Sequence, residues 1–244
     1  MTESPKQEGR LWDGWTRKRR YDRPGMERYY RIRDRNQAWL VALAREVLAD
    51  QTEARTLKTD LWNEGKKSER FFVDSPGINF GIDISGEVCR LAKEKAGDKV
   101  RVVNASIGFL PFRPQSLNLI LDISTIDHFD EPEQAIQEYR RILKPRGVVL
   151  IVADNPFYLG FPVLKMQSFF NLHVPFKAIA PFRIRRACEA AGFRVVRNFY
   201  TYLHLPAFIA YFLEESNLLD TINQGRNVLW NILKKYAVVV ARKV

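Results

Sequence analysis

Ile78-Asn79-Phe80-Gly81-Ile82-Asp83 reads as a short apolar strand that ends in an acid, and Ile84-Ser85-Gly86 leads straight from it into a helix. Over residues 86–96 the side chains of Val88, Leu91 and Ala92 fall on one helical face. A strand that hands over to a helix in this way is the repeating unit of α/β folds. An acid at the junction can accept both hydroxyls of a ribose, as it does in dinucleotide-binding folds. Asp83 or Ser85 can also simply cap the helix. The stretch alone leaves both readings open.

Working outward, apolar runs at residues 56–62, 99–103, 117–123 and 148–153 predict further strands. Residues 133–143 place Ala135, Ile136, Tyr139 and Ile142 at helical spacing. Earlier in the chain, Trp39, Leu40, Leu43, Ala44 and Val47 do the same. Alternating strands and helices imply an α/β fold of the Rossmann-like, doubly wound type, a mostly parallel sheet with helices on both faces. Ligands of such sheets bind beyond the carboxyl ends of the strands, near the point where strand order reverses. Downstream the pattern predicts a helix over 184–191, a glycine stop at Gly192, and strands over 193–200 and 236–242.

Two segments stand apart from this alternation. Residues 1–35 are rich in Arg, Trp and Tyr without a sustained apolar period, and read as a basic aromatic arm, with room for a short helix, preceding a single domain over 36–244. Residues 154–183 are aromatic and irregular, and read as a lid-like insertion after the fifth strand.

Composition narrows the functional classes. The 244 residues carry a formal charge of +11, which favours polyanionic partners: nucleic acid, anionic lipid surfaces or phosphorylated substrates. The longest apolar stretches, 207–213 and 148–153, fall well short of the ~20 residues a membrane-spanning helix needs. The polar start MTESPKQEGR lacks the apolar core of a secretory signal, so a cytoplasmic protein is expected. Cys89 and Cys188 lie far apart with no CxxC pair or clustered histidines, so neither a disulfide framework nor a metal site is expected.

Three blocks carry a family resemblance. GIDISGEVCRLAKEKAG covers the second strand and its helix, VVNASIGFLPFRPQSLNLILDISTIDHF the third and fourth strands, and EYRRILKPRGVVLIVA the helix and strand that follow. In order and spacing they resemble the class I S-adenosylmethionine-dependent methyltransferases, particularly those acting on small molecules and lipids. The resemblance implies S-adenosylmethionine as cofactor, with Asp83 on the ribose hydroxyls and Ile84 on the adenine. Asn104 and Ala105 fall where the family has Asp-Ala beside the adenine amino group, and Asp122 near the methionine part. Leu143-Lys144-Pro145-Arg146-Gly147 matches a structural turn of the family.

The first strand departs from the family. Where the family has an acidic, glycine-rich turn, this chain has Leu57-Lys58-Thr59-Asp60-Leu61-Trp62-Asn63-Glu64-Gly65. One glycine remains, and Asp60 or Glu64 is left as a candidate for the cofactor's amino group.

Methyl transfer is an in-line displacement that needs positioning and, for some acceptors, a general base. His128, just after the fourth strand, is the candidate base, with packing or capping as its alternative role. Asp154-Asn155-Pro156-Phe157-Tyr158 resembles the Asn-Pro-Pro-Tyr signature of base and glutamine methyltransferases but follows the fifth strand instead of the fourth. His173 and His204 sit among aromatic residues, as packing or substrate-lining groups. The expected partner is a small-molecule or lipid-like substrate, with nucleic acid reached through the arm or peripheral membrane contact as further options. A nucleic-acid (RNA) methyltransferase and a non-catalytic binding protein on the same fold are the alternatives.

Overall fold

A computed structural model describes residues 5–18, 40, 42–48, 53–66, 77–170, 179–203 and 231–244. Strands β1 (Arg55–Lys58), β2 (Ile78–Asp83), β3 (Arg101–Asn104), β4 (Leu117–Ile123), β5 (Leu143–Asp154), β6 (Phe193–Leu203) and β7 (Lys234–Lys243) form one sheet in the order β3-β2-β1-β4-β5-β7-β6. The first five run parallel, while β7 is inserted antiparallel between β5 and β6. From β1 the chain winds outward to β3 and then returns to β4. The reversal therefore lies between β1 and β4, and a ligand crevice is expected there.

Central strands buried on both faces carry near-continuous apolar sequence, and the period of two sorts their side chains between two cores. Ile120, Val149, Ile151, Val239 and Ala241 join one core with Ala135, Ile136, Tyr139 and Ile142 of α5 (Pro132–Ile142) and Ile184 and Cys188 of α7 (Pro181–Ala190). Leu119, Leu121, Leu150, Val152, Val238 and Val240 meet Leu40, Leu43, Ala44 and Leu48 on the other face. Of these, residues 42–48 form helix α2. Trp39 lies outside the described residues.

A smaller cluster of Leu61, Val88, Cys89 and Ala92, with Trp62 against it, joins α3 (Trp62–Lys66) to α4 (Gly86–Ala96). Both cysteines are buried and unpaired, as expected of core thiols. Among the described residues no helix is long and apolar enough to cross a membrane, and no group of side chains could hold a metal ion.

Two expectations need correction. The first strand ends at Lys58, not at residue 62. Thr59–Leu61 turn, and α3 starts at Trp62 because Asp60 Oδ1 accepts the Trp62 N–H at 2.9 Å. β5 begins at Leu143, so the Leu-Lys-Pro-Arg-Gly stretch is an irregular start of the strand. Its pairing with β4 slips between Leu117 and Leu119, and Arg146 adopts φ 65°.

Within the N-terminal arm, one segment is described. Residues 5–18 form a docked helix, α1 (Pro5–Lys18). Gly9 packs so tightly under Ile84 that a Cβ there would stand 2.7 Å from the Ile84 carbonyl oxygen. Asp13 Oδ1 accepts hydrogen bonds from Ser85 Oγ (2.6 Å) and the Glu87 N–H (3.1 Å) at the start of α4.

Candidate functional site

The carboxyl ends of β1, β2, β3 and β4 bring most of the expected site residues to one edge. Asp83, half-buried, accepts the Leu61 N–H on Oδ2 (3.0 Å) and the Ser85 N–H on Oδ1 (2.9 Å). An ionised carboxylate offers about four lone-pair directions. Two are taken here, which fixes the group, and two remain for ligand hydroxyls. Ser85 Oγ, not Asp83, caps α4 by accepting the Val88 N–H at 3.1 Å. The capping role that the sequence left open between Asp83 and Ser85 therefore falls to Ser85.

Asn104 ends β3 directly beside Asp83. Its Nδ2 donates to the carbonyls of Asp83 (2.8 Å) and Ile84 (2.9 Å), stitching β3 to the β2–α4 junction. A carboxylate cannot donate, which is a physical reason for Asn at this position. Ala105 continues the stitch through its N–H to the Asp83 carbonyl at 3.1 Å. Ile84 and Ala105 are both half-buried beside it. Asp83, Ile84, Asn104 and Ala105 thus fit the nucleoside half of the expected cofactor.

The turn after β1 is built on a different plan. Lys58 is fully buried, and its Nζ contacts Asp60 Oδ2 (3.0 Å), Glu64 Oε2 (2.9 Å) and the Asp60 carbonyl (2.6 Å). Burial alone would lower its pKa, but the two carboxylates more than reverse that and hold it charged. Glu64 is itself buried, which raises its pKa, and its Oε1 has no partner. Asp60 keeps 20 % of its side-chain surface exposed at the edge. Gly65 lies behind the turn, where a Cβ would stand 3.0 Å from the Val88 carbonyl oxygen, so it serves the packing of α3 on α4.

Asp122 sits under the edge, not on it. It is fully buried, and its Oδ1 accepts the N–H groups of Thr125 (3.0 Å) and Ile126 (3.1 Å) while Oδ2 accepts the Tyr139 hydroxyl (2.7 Å). In β4 it shares the face of Ile120, so it points at α5 and anchors the one-turn helix Ile126–His128. His128 ends that turn half-buried, with its ring edge-to-face on Trp12 at 5.1 Å. His173 and His204 lie outside the described residues.

Sequence reasoning missed helix α1 as part of this edge. Trp12 stands between Trp62, 6.4 Å away after β1, and His128 after β4, so α1 crosses the crevice. It also missed Asp127, which is fully buried. Asp127 Oδ2 accepts the Asp154 N–H at 2.7 Å, and burial and Asp154 raise its pKa well above the usual range. Asn155 spends its amide on the carbonyls of Asn231 and Lys234 and on the Phe157 N–H. The Asn-Pro-Phe-Tyr stretch is therefore a brace between β5 and β7.

Two measurable consequences follow from these contacts. Burial pushes the Asp83 carboxyl up to about 7 and that of Asp122 up to about 6. The folded state thus keeps protons that the unfolded chain releases near pH ~4. These groups favour the native state in acid, and that advantage is lost as pH rises through 6–7. Melting temperature should fall between pH 5 and pH 7.5, with a shallower fall in Asp83→Asn. In turn, Gly9→Leu should free α1 from Ile84, and its signature is a red shift of tryptophan emission as Trp12 leaves Trp62 and His128 for solvent.

Residues 63–151 match the model of a methyltransferase domain, a match that begins just past the Lys58-centred turn. An uncharacterised protein of Methanocaldococcus jannaschii is 32 % identical over 90 residues, 36 % of this chain and 42 % of that one. The ubiquinone/menaquinone biosynthesis C-methyltransferase of Campylobacter jejuni is 24 % identical over 172 residues, 70 % of this chain and 66 % of that one. The chain thus spans less than two thirds of the length of these curated relatives. Among solved structures, geranyl diphosphate C-methyltransferase from Streptomyces coelicolor superposes with a TM-score of 0.66 at 13 % identity, over the full length of both chains. The [4+2]-cyclase SpnF superposes with the same TM-score at 17 % identity, over 100 % of this chain and 97 % of that one. At such identities the likeness is one of fold.

Proposed function

The chain belongs to the class I S-adenosylmethionine-dependent methyltransferase family, and from that premise we propose that it transfers the methyl group of S-adenosylmethionine to an apolar small-molecule or lipid-like acceptor. The observation that carries this reading is the Asp83 carboxylate, fixed by two backbone N–H groups beside the switch point and with lone pairs left for a ribose. Asp83 binds the ribose hydroxyls, Ile84 and Ala105 line the adenine, and Asn104 holds that wall in place. Asp60 offers the methionine ammonium a carboxylate that it shares with Lys58.

The bound cofactor would supply a methyl group activated on a sulfonium. The chain orients it, excludes water beneath α1 and, for an acceptor that must lose a proton, accepts that proton on a ring nitrogen of His128. The apolar acceptor is supported by the aromatic and aliphatic residues that follow β5 at the ligand edge. It is also supported by the prenyl and quinone chemistry in the names of two similar proteins. The nucleic-acid reading loses ground, because α1 spends Trp12 and Asp13 on its own domain instead of offering them to bases and phosphates.

Incubation with methyl-tritiated S-adenosylmethionine and either a prenyl diphosphate, a quinol or tRNA tests the acceptor class. Label should enter an apolar acceptor, with turnover reduced about 10²-fold in His128→Ala where deprotonation is needed. Label found only in tRNA would sink the acceptor assignment. A chain that binds the donor yet labels nothing would point to a non-transferring use of the fold, of which the cyclase is an example.

A further inference from the structure

Helix α6 (Phe161–Phe169) departs from the way surface helices behave. Val163, Met166 and Phe170 stand at i, i+3 and i+7, the spacing of one helical face, and Phe170 continues the last turn through its N–H to the Met166 carbonyl at 3.1 Å. A helix ordinarily buries such a stripe, yet these residues are 51, 55 and 62 % exposed. Phe169 beside them is 82 % exposed, and Leu159, in the turn before the helix, 69 %. Single exposed apolar residues are ordinary, but neighbours on one face form a patch that marks an interaction surface.

The charges around the patch identify its partner. Residues 157–170 contain no acid, and exposed Lys165 holds its Nζ 5.9 Å from the centre of the Phe161 ring. The whole chain carries +11, which sets one copy against another and draws the protein to an anionic surface. Protruding apolar side chains beside a lysine, on a strongly basic protein, suit insertion among anionic headgroups. We propose that α6 is a docking surface for an anionic lipid bilayer, with Val163, Met166, Phe169 and Phe170 inserted at the headgroup boundary.

β5 ends at Asp154 on the ligand edge, and the chain leads from there directly into α6. A docked α6 therefore brings the bilayer to the edge where a lipid-like acceptor would enter. That consequence rests on the proposed function, whereas the docking itself does not.

Co-sedimentation of the full chain, without cofactor, on phosphatidylcholine vesicles with and without phosphatidylglycerol tests the docking. Binding should require phosphatidylglycerol and weaken at least about tenfold in Val163→Glu/Met166→Glu. Both positions are exposed, so this variant should melt with the parent. Failure to bind the mixed vesicles, or binding that survives the double substitution, overturns the proposal. Equal binding to pure phosphatidylcholine overturns the anionic assignment. A dimer in sedimentation velocity that the substitutions dissolve would make the face a subunit contact instead. Loss of docking leaves cofactor binding intact, so the two readings fail separately.

Discussion

Lys58→Met is expected to destabilise the protein by about 3–5 kcal/mol, the usual cost of removing one partner from a buried ion pair. In a chain of this size that lowers the melting temperature by roughly 6–20 °C. The Lys58 side chain is fully buried, that of Glu64 is 4 % exposed, and the ammonium holds Oε2 of the Glu64 carboxylate while Oε1 has no partner. Without it Glu64 must take up a proton or drag water into the junction of α3 and α4. Adding Glu64→Gln should recover part of the loss, because the residual cost comes from an uncompensated charge. A Lys58→Met protein that melts with the parent would mean that the ion pair does not hold the turn.

Asp83→Ala is expected to weaken S-adenosylhomocysteine binding by about 10² or more, since hydrogen bonds to a charged group contribute roughly 1.5–3 kcal/mol each and a ribose offers two. The loss should appear as the disappearance of the ligand-induced rise in melting temperature. Alanine also strands the Leu61 and Ser85 N–H groups, so Asp83→Asn is the control. It keeps one acceptor oxygen and should retain a reduced shift. An undiminished shift in the alanine variant would remove Asp83 from the site.

The parts of this molecule that were legible in the sequence are those that local pattern determines. β4 begins and ends where its apolar run does, because a strand buried on both faces needs continuous aliphatic residues. β2 and its terminal acid were readable for the same reason. The turn after β1 was not. Leu61 and Trp62 prolong the apolar run, whereas the ion pairs that fold the chain back join residues 58, 60 and 64, a spacing with no periodic signature.

The docking of helix α1 was not legible because its docking face is made of Gly9, Trp12, Asp13 and Thr16, not of aliphatic residues. Asp122 was found as a strand-end acid, but its direction was decided by Tyr139 on a helix seventeen residues away. The antiparallel insertion of β7 left no local mark, since a fully buried strand reads the same in either direction.

This edge is expected to bind a nucleoside cofactor although its first turn is organised by an ion pair in place of glycines. Isothermal titration of S-adenosylhomocysteine into the full chain at pH 8, where Asp83 is ionised, tests it most directly. Saturable one-to-one binding is expected, weakening as the pH is lowered through about 7 and Asp83 takes up its proton. A titration that yields no binding heat at any temperature, from protein that melts cooperatively, would contradict it.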